Sequence, residues 1–65
     1  MGGVINNVRY NTVEYIDRRG RQRWAGLDFA HGDTWRETVA IAEEHLRTFL
    51  GDDEVEVVML NGNSQ

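Results

Sequence analysis

Four arginines close together in the sequence could bind phosphate groups: Arg18, Arg19, Arg21 and Arg23. Guanidinium groups neutralise phosphates and aromatic rings stack on bases, and Tyr15 and Trp24 are near in sequence. The chain has a formal net charge of −4, however, whereas nucleic-acid-binding domains normally carry net positive charge. A solvated, charged turn in which Arg23 lies on Tyr15 also accounts for these residues. We therefore keep direct nucleic-acid binding as an alternative and disfavour it.

The carboxylates are concentrated in the second part of the chain. Residues 28–65 contain two arginines and nine acids, a net charge of −7, whereas residues 1–27 contain five arginines and two acids, a net charge of +3. Such a surface could meet a basic groove on a partner protein, and long-range attraction would speed the association. Solvation of an ordinary helix face is the plainer explanation. The candidate acidic surface comprises Glu37, Glu44, Asp52, Asp53, Glu54 and Glu56.

Catalytic and metal-binding patterns find little support in the sequence. There is no cysteine, and His31, Asp33 and His45 lack the close helical spacing of zinc ligands. The serine Ser64 lies in a polar tail, and Asp28 is placed as a solvated strand residue between two apolar neighbours. A catalytic carboxylate would need a buried setting that shifts its pKa. We expect a protein that is not an enzyme and that holds no metal or cofactor.

Residues 33–50 have a clear helical period. Thr34 and Glu37 form a capping box at the start, and Gly51 is placed to end the helix. Ile41 and His45 lie at the edge of the apolar arc, either because the buried face is wider or because they form a contact ridge; we favour the wider face. The residues predicted to pack on a core fall in an arc of about 100°: Trp35, Val39, Ala42, Leu46, Phe49 and Leu50.

Three strands are predicted around this helix. Residues 4–16, 21–30 and 54–60 are rich in β-forming residues, and a hairpin turn with glycine in the left-handed position joins the first two. Residues 61–65 are expected to be frayed. The fold predicted is α+β with the order β-β-α-β: a three-stranded antiparallel sheet, strand order 2-1-3, with one helix packed on one face. Residues 1–65 form a single domain.

Apolar alternation predicts which strand residues face the helix. A β-bulge near Asn11 and Thr12 would bring Val8 and Tyr10 onto the same side as later apolar residues of the first strand. The register set by the turn puts Val13 opposite Ala25, and the bulge would then put Tyr10 opposite Leu27. The strand residues expected in the core are Val8, Tyr10, Val13, Tyr15, Ala25, Leu27, Phe29, Val55, Val57 and Met59.

One helix covers only one side of such a sheet, and the other side is predicted to carry apolar residues as well. They are Ile16, Trp24, Val58 and Leu60. Large apolar side chains grouped on an uncovered face usually mark an interface. We therefore expect this face, the acidic surface, or both, to bind a partner protein.

The size, acidic balance and β-β-α-β layout resemble those of small phage-encoded inhibitors, such as anti-CRISPR proteins and phage inhibitors of bacterial RNA polymerase. The resemblance covers the whole chain as layout and size, and it assigns no site residue. It implies a non-catalytic inhibitor or adaptor that binds and occludes a larger host protein. A homodimeric or larger accessory assembly is the other alternative, because so small a chain gains stability by association. Without an apolar run of about 20 residues or a leader pattern, we expect a cytoplasmic protein with no membrane segment.

Overall fold

The computed structural model describes residues 8–64, and within them the chain forms four strands and one helix. The antiparallel sheet has the order β2-β1-β3-β4. The predicted α+β class, with one helix and an antiparallel sheet, is confirmed, although a short fourth strand extends the predicted order 2-1-3. Residues 4–7 of the predicted first strand lie outside the described residues. The elements are β1 (Val8–Ile16), β2 (Gln22–Ala30), α1 (Trp35–Leu50), β3 (Glu56–Leu60) and β4 (Asn63–Ser64).

The turn between β1 and β2 has the predicted geometry. Gly20 has φ +76°, and its amide donates to the carbonyl of Asp17 at 2.9 Å. The amide of Asp17 donates to the carbonyl of Arg21 at 2.9 Å, which closes a three-residue loop. The Asp17 carboxylate accepts the amides of Arg19 and Arg21, each at 2.9 Å. An aspartate opening the turn and a left-handed glycine therefore fold it locally.

Thr34 and Gly51 cap the two ends of α1 as predicted, whereas Glu37 bonds to the Thr34 hydroxyl and not to the backbone amide that a capping box uses. The Thr34 hydroxyl accepts the amide of Glu37 at 3.0 Å and donates to its carboxylate at 3.1 Å. At the other end, Gly51 has φ +66° and donates its amide to the carbonyl of Arg47 at 2.8 Å. Glu43 pairs with Arg47 at 3.0 Å and accepts the amide of Val57 at 3.2 Å. Glu43 therefore connects α1 to β3 as well as supporting the helix.

The core lies between α1 and one side of the sheet. Ile41 packs against the core, which confirms the wider helix face for this residue. His45 is exposed, although its ring centroid lies 5.4 Å from that of Phe29. Ala25 is also packed at the margin. The buried apolar residues are Val13, Tyr15, Leu27, Phe29, Val39, Ala42, Leu46, Val55, Val57 and Leu60.

The ends of α1 are less buried than predicted. Trp35, Phe49 and Leu50 retain 40%, 66% and 38% exposure, so their placement in the core was wrong. A helical wheel gives the direction of a side chain around the helix axis, but not how far the sheet extends along that axis. The middle turns pack on the sheet, whereas the first residue and the last two lie partly in solvent.

The predicted bulge in the first strand is also wrong. β1 and β2 pair in continuous register, so that Tyr10 is opposite Asp28, whereas Val13 is opposite Ala25 as predicted. Val8 and Tyr10 therefore lie on the side of the sheet away from α1, and both are exposed. Asn11 takes the core position instead and is fully buried.

Hydrogen bonds explain why an asparagine is buried where an apolar residue was expected. The side-chain amide of Asn11 donates to the backbone carbonyls of Arg9 at 2.8 Å and Phe29 at 3.3 Å. Its oxygen accepts the side-chain amide of Asn61 at 2.9 Å and lies 2.6 Å from Nε2 of His31. A buried polar group that is satisfied in this way costs little.

The bulge lies in the pairing of β1 with β3. Glu14 is opposite Met59 and Tyr15 is opposite Val57, so Val58 is an extra residue. This shift puts Leu60 in the core and Met59 on the other side, which reverses the prediction for both. A bulge changes the alternation of every residue beyond it.

The segment expected to be frayed begins with a tight turn. Asn61 and Gly62 have φ +52° and +81°, as a two-residue type I′ hairpin requires. Leu60 then pairs with Asn63 in β4. The Asn61 oxygen also accepts the amide of Thr12 at 2.8 Å, so this turn is attached to β1.

Candidate interaction face

The side of the sheet away from α1 is here called the open face. In β1 and β2 it consists of the even-numbered residues, because side chains alternate along a strand. Val8, Tyr10 and Trp24 on this face are 50%, 63% and 66% exposed. In β3, Glu56 and Met59 belong to it through their partners Ile16 and Glu14. The open face therefore presents large apolar side chains to solvent.

The centre of the open face is the pair Thr12 and Gly26, which lie opposite each other. The ring of Tyr10 lies over Gly26, in the space that a Cβ there would occupy. Two residues away on either side, an aromatic residue is opposite a carboxylate: Tyr10 faces Asp28, and Trp24 faces Glu14.

The charges on the open face are all negative within β1, β2 and β3. Glu14, Asp28 and Glu56 are its charged residues, whereas Arg9 and Arg23 occupy odd-numbered positions and belong to the other side. Glu14 also accepts a hydrogen bond from Gln22 at 3.1 Å. Each of the two exposed aromatic residues, Tyr10 and Trp24, is thus paired across the strands with a carboxylate residue.

The predicted open-face residues have different positions in the structure. Trp24 is exposed, and Ile16 is half-buried on the same face. Val58 is the half-buried bulge residue, and Leu60 is fully buried in the core, so its placement on the open face was wrong. Sequence reasoning missed Val8 and Tyr10, although simple alternation along β1 without a bulge places both on the open face.

The six acids predicted to form one surface are not brought together. Glu37 caps the start of α1, about 20 Å along the helix from the turn that holds Asp52. Glu44 is exposed on α1, and Glu56 is on the open face. Only Asp52, Asp53 and Glu54 are neighbours, and Arg18 lies 3.1 Å from Asp52 and 3.7 Å from Glu54. The amide of Glu54, with Arg18, holds the pKa of Asp52 below its ordinary value of 3.8.

Two of the four clustered arginines are paired with carboxylates of this chain. Arg18 contacts Asp52, and Nε of Arg23 lies 3.4 Å from the carboxylate of Asp17 rather than on Tyr15. The amide of Arg21 chiefly, then that of Arg19 and the Arg23 side chain, hold the pKa of Asp17 below 3.8. These arginines thus support the turn as well as presenting positive charge.

The two histidines weighed and disfavoured as metal ligands form other contacts. His31 bonds to Asn11, and Nδ1 of His45 lies 3.0 Å from the carbonyl of Ile41. Among residues 8–64 no three histidine, cysteine, aspartate or glutamate side chains are arranged to hold a metal ion, and no pocket is found. α1, the helix of this part of the chain, lacks the length and apolar character needed to cross a membrane.

Comparisons of the chain with protein-family models, with curated proteins and with solved structures found no match. The resemblance to small phage-encoded inhibitors stays a prediction from size and layout. The geometry of the open face is therefore the main basis for a functional proposal.

Proposed function

We propose that the chain is a small non-enzymatic protein-interaction module that binds a larger protein through its open face. One observation carries this proposal: Val8, Tyr10 and Trp24 are exposed together on the side of the sheet that α1 leaves uncovered. Contiguous exposed apolar side chains usually mark an interaction site. Tryptophan and tyrosine are also the residue types that most often dominate binding energy.

The support beneath these residues favours binding without rearrangement. Tyr10 and Trp24 project from paired strands whose other side forms the core, and the Tyr10 ring rests on Gly26. A rigid aromatic side chain on a regular sheet loses little conformational entropy on binding. Such a module acts by occupying the surface of its partner, as an inhibitor or an adaptor does. The net charge of −4 suits a basic partner such as a nucleic-acid-processing host protein.

Affinity capture from a bacterial lysate tests the proposal when matched variants are compared. Trp24→Ala and Tyr10→Ala should each reduce capture of the specific partner at least about ten-fold, as expected for central aromatic contacts. Phe49→Ala is the control, because Phe49 has the same 66% exposure as Trp24 but lies at the end of α1. Circular dichroism verifies that each variant is folded.

Two outcomes contradict this proposal. Capture that is unchanged by Trp24→Ala and Tyr10→Ala would exclude the open face as the binding surface. Capture lost only with Phe49→Ala would move the interface to the end of α1, where Leu50 is also partly exposed.

A homo-oligomer is the second candidate, and the position of β2 favours it. β2 is nine residues long and forms one edge of the sheet, where another copy could add its own edge strand. Face-to-face pairing of two open faces is disfavoured, because it would bring like charges together. Light scattering after size exclusion decides this candidate, and a strict monomer would reject it. A mobility shift with generic DNA or RNA at low salt tests the nucleic-acid alternative in the same way.

A further inference from the structure

We infer that the open face recognises a basic, extended protein segment by binding two of its cationic side chains, four residues apart, on two aromatic–carboxylate pairs. The pairs are Tyr10 with Asp28 and Trp24 with Glu14. This inference rests on the proposed function, because it names the chemistry of the partner that the open face binds.

The two pairs are related by the local symmetry of the antiparallel strands. Thr12 and Gly26 lie opposite each other at the centre. On β1, Tyr10 lies two positions before Thr12 and Glu14 lies two positions after it. On β2, Trp24 and Asp28 lie two positions before and after Gly26 in the same way. The same register of an aromatic residue opposite a carboxylate residue therefore occurs twice, once on each side of the centre.

Each pair combines the two groups that attract a cation at a protein surface. The face of an aromatic ring attracts a guanidinium or ammonium group, and a carboxylate on the residue paired with the aromatic one can accept the N–H groups of that cation. Arginine suits both contacts, because its planar group stacks on rings and donates in a fork. Trp24, Tyr10 and Asp28 are exposed and Glu14 is half-buried, so both pairs are accessible.

The negative charge of the open face disfavours two other occupants, a phosphate-bearing ligand and a second copy of this chain. Glu14, Asp28 and Glu56 are its charged residues within β1, β2 and β3. Phosphates would be repelled by these carboxylates, and so would the open face of a second copy. A basic protein segment is the occupant whose charge complements this face.

The spacing of the two pairs predicts the pattern of the partner. Tyr10 and Glu14 are four residues apart on β1, which corresponds to about 13 Å along a strand. In an extended segment, side chains four positions apart point to the same side at the same spacing. Two arginines at positions i and i+4 of such a segment can therefore reach both pairs.

A peptide titration followed by NMR at low salt tests the inference on the intact protein. The probe is a short extended threonine–valine peptide with arginines at i and i+4. One comparison peptide has citrulline at both positions, and another has arginines at i and i+3. The arginine i,i+4 peptide should shift the indole N–H of Trp24 and the amides of β1 and β2. Both comparison peptides should bind about ten-fold more weakly or worse, a loss of ~1.4 kcal/mol.

Protein variants provide the second part of the test. Glu14→Gln with Asp28→Asn should weaken binding of the arginine peptide about ten-fold. The control pair, Glu44→Gln with Asp53→Asn, removes the same charge from exposed positions elsewhere and should bind as the wild type does. Equal binding of the arginine and citrulline peptides would overturn the inference, as would shifts confined to the turn at Asp53.

The two proposals fail in different ways. If Trp24→Ala abolishes capture of the partner while Glu14→Gln with Asp28→Asn leaves it unchanged, the open face binds a partner but does not select for cations. If Trp24→Ala and Tyr10→Ala leave capture unchanged, the proposed function itself is wrong.

Discussion

Tyr10 and Gly26 share one space on the open face, because the tyrosine ring lies where a side chain at position 26 would be. Glycine within a strand normally weakens it. Here a ring from the neighbouring strand covers the bare backbone, as aromatic residues do for glycines in designed sheets. The orientation of an exposed aromatic residue of the open face thus depends on the absence of a side chain on the adjacent strand.

The first prediction follows from this shared space. Gly26→Ala should displace the Tyr10 ring and reduce capture of the partner. In a Tyr10→Ala background the same substitution should stabilise the protein by about 0.5–1 kcal/mol, because alanine loses less backbone entropy than glycine. Chemical denaturation of the four proteins in a double-mutant cycle measures the coupling. Equal effects of Gly26→Ala in both backgrounds would show that the ring and the glycine are independent.

The second prediction concerns the buried amide of Asn11. Asn11→Ala removes the acceptor of Asn61 and His31 and the donor to three carbonyls of β1 and β2. Leaving such buried groups unpaired should lower the free energy of unfolding by about 1–3 kcal/mol. Asn63→Ala is the control, because the side-chain amide of Asn63 makes an exposed hydrogen bond, at 3.4 Å to the carbonyl of Asn61. Urea denaturation measures both variants, and similar small losses would contradict a structural role for Asn11.

The third prediction is a loss of stability in acid. The pKa of Asp17 is lowered from 3.8 in the folded protein, chiefly by the amide of Arg21. A carboxylate with a lowered folded-state pKa stabilises the fold above its unfolded pKa. That contribution is lost as the pH falls through the folded-state pKa. Thermal unfolding should therefore show that the melting temperature decreases below about pH 4, and that it decreases less in Asp17→Asn.

The control for this pH series is Asp53→Asn. Asp53 is an exposed carboxylate to which no amide of residues 8–64 is seen to donate a hydrogen bond, so the variant should follow the wild-type curve. If Asp17→Asn and Asp53→Asn change the decrease of the melting temperature in acid equally, the amides around Asp17 do not account for its contribution to stability.

The fourth prediction separates two apolar residues of α1 that share one arc of the helical wheel. Leu46 is fully buried, whereas Phe49 is 66% exposed. Leu46→Ala should cost about 2–5 kcal/mol, which is enough to unfold much of so small a protein. Phe49→Ala should change stability by less than ~0.5 kcal/mol. Guanidinium or thermal denaturation checks both, and a large loss for Phe49→Ala would mean that this ring packs on the fold.

Local signals predicted much of this fold. Three of these signals act within a few residues, so the sequence is sufficient to recognise them. They are the helix cap at Thr34, the glycine after α1 and the turn that Asp17 opens. Asn61 and Gly62 carry an equally local hairpin signal, and β4 follows from it.

The sides of the strands were harder to predict, because partners far along the chain decide them. Tyr10 is apolar enough for the core, but Asn11 takes that position since Asn61 and His31 satisfy its side chain. No local pattern indicates those partners. The bulge wrongly predicted in β1 placed Tyr10 in the core, so Tyr10 was missing from the candidate site. Trp24 was placed correctly, because the turn itself sets the β1–β2 register near it.

The bond between Asn11 and Asn61 joins residues 50 positions apart, and this separation bears on how the chain folds. The β1–β2 hairpin closes over a short loop and can form within microseconds. The β1–β3 ladder closes a much longer loop, whose entropy opposes it until the hairpin and α1 bring the ends together. We expect the asparagine bond to form after the rate-limiting step. Its removal would then accelerate unfolding while leaving the folding rate nearly unchanged.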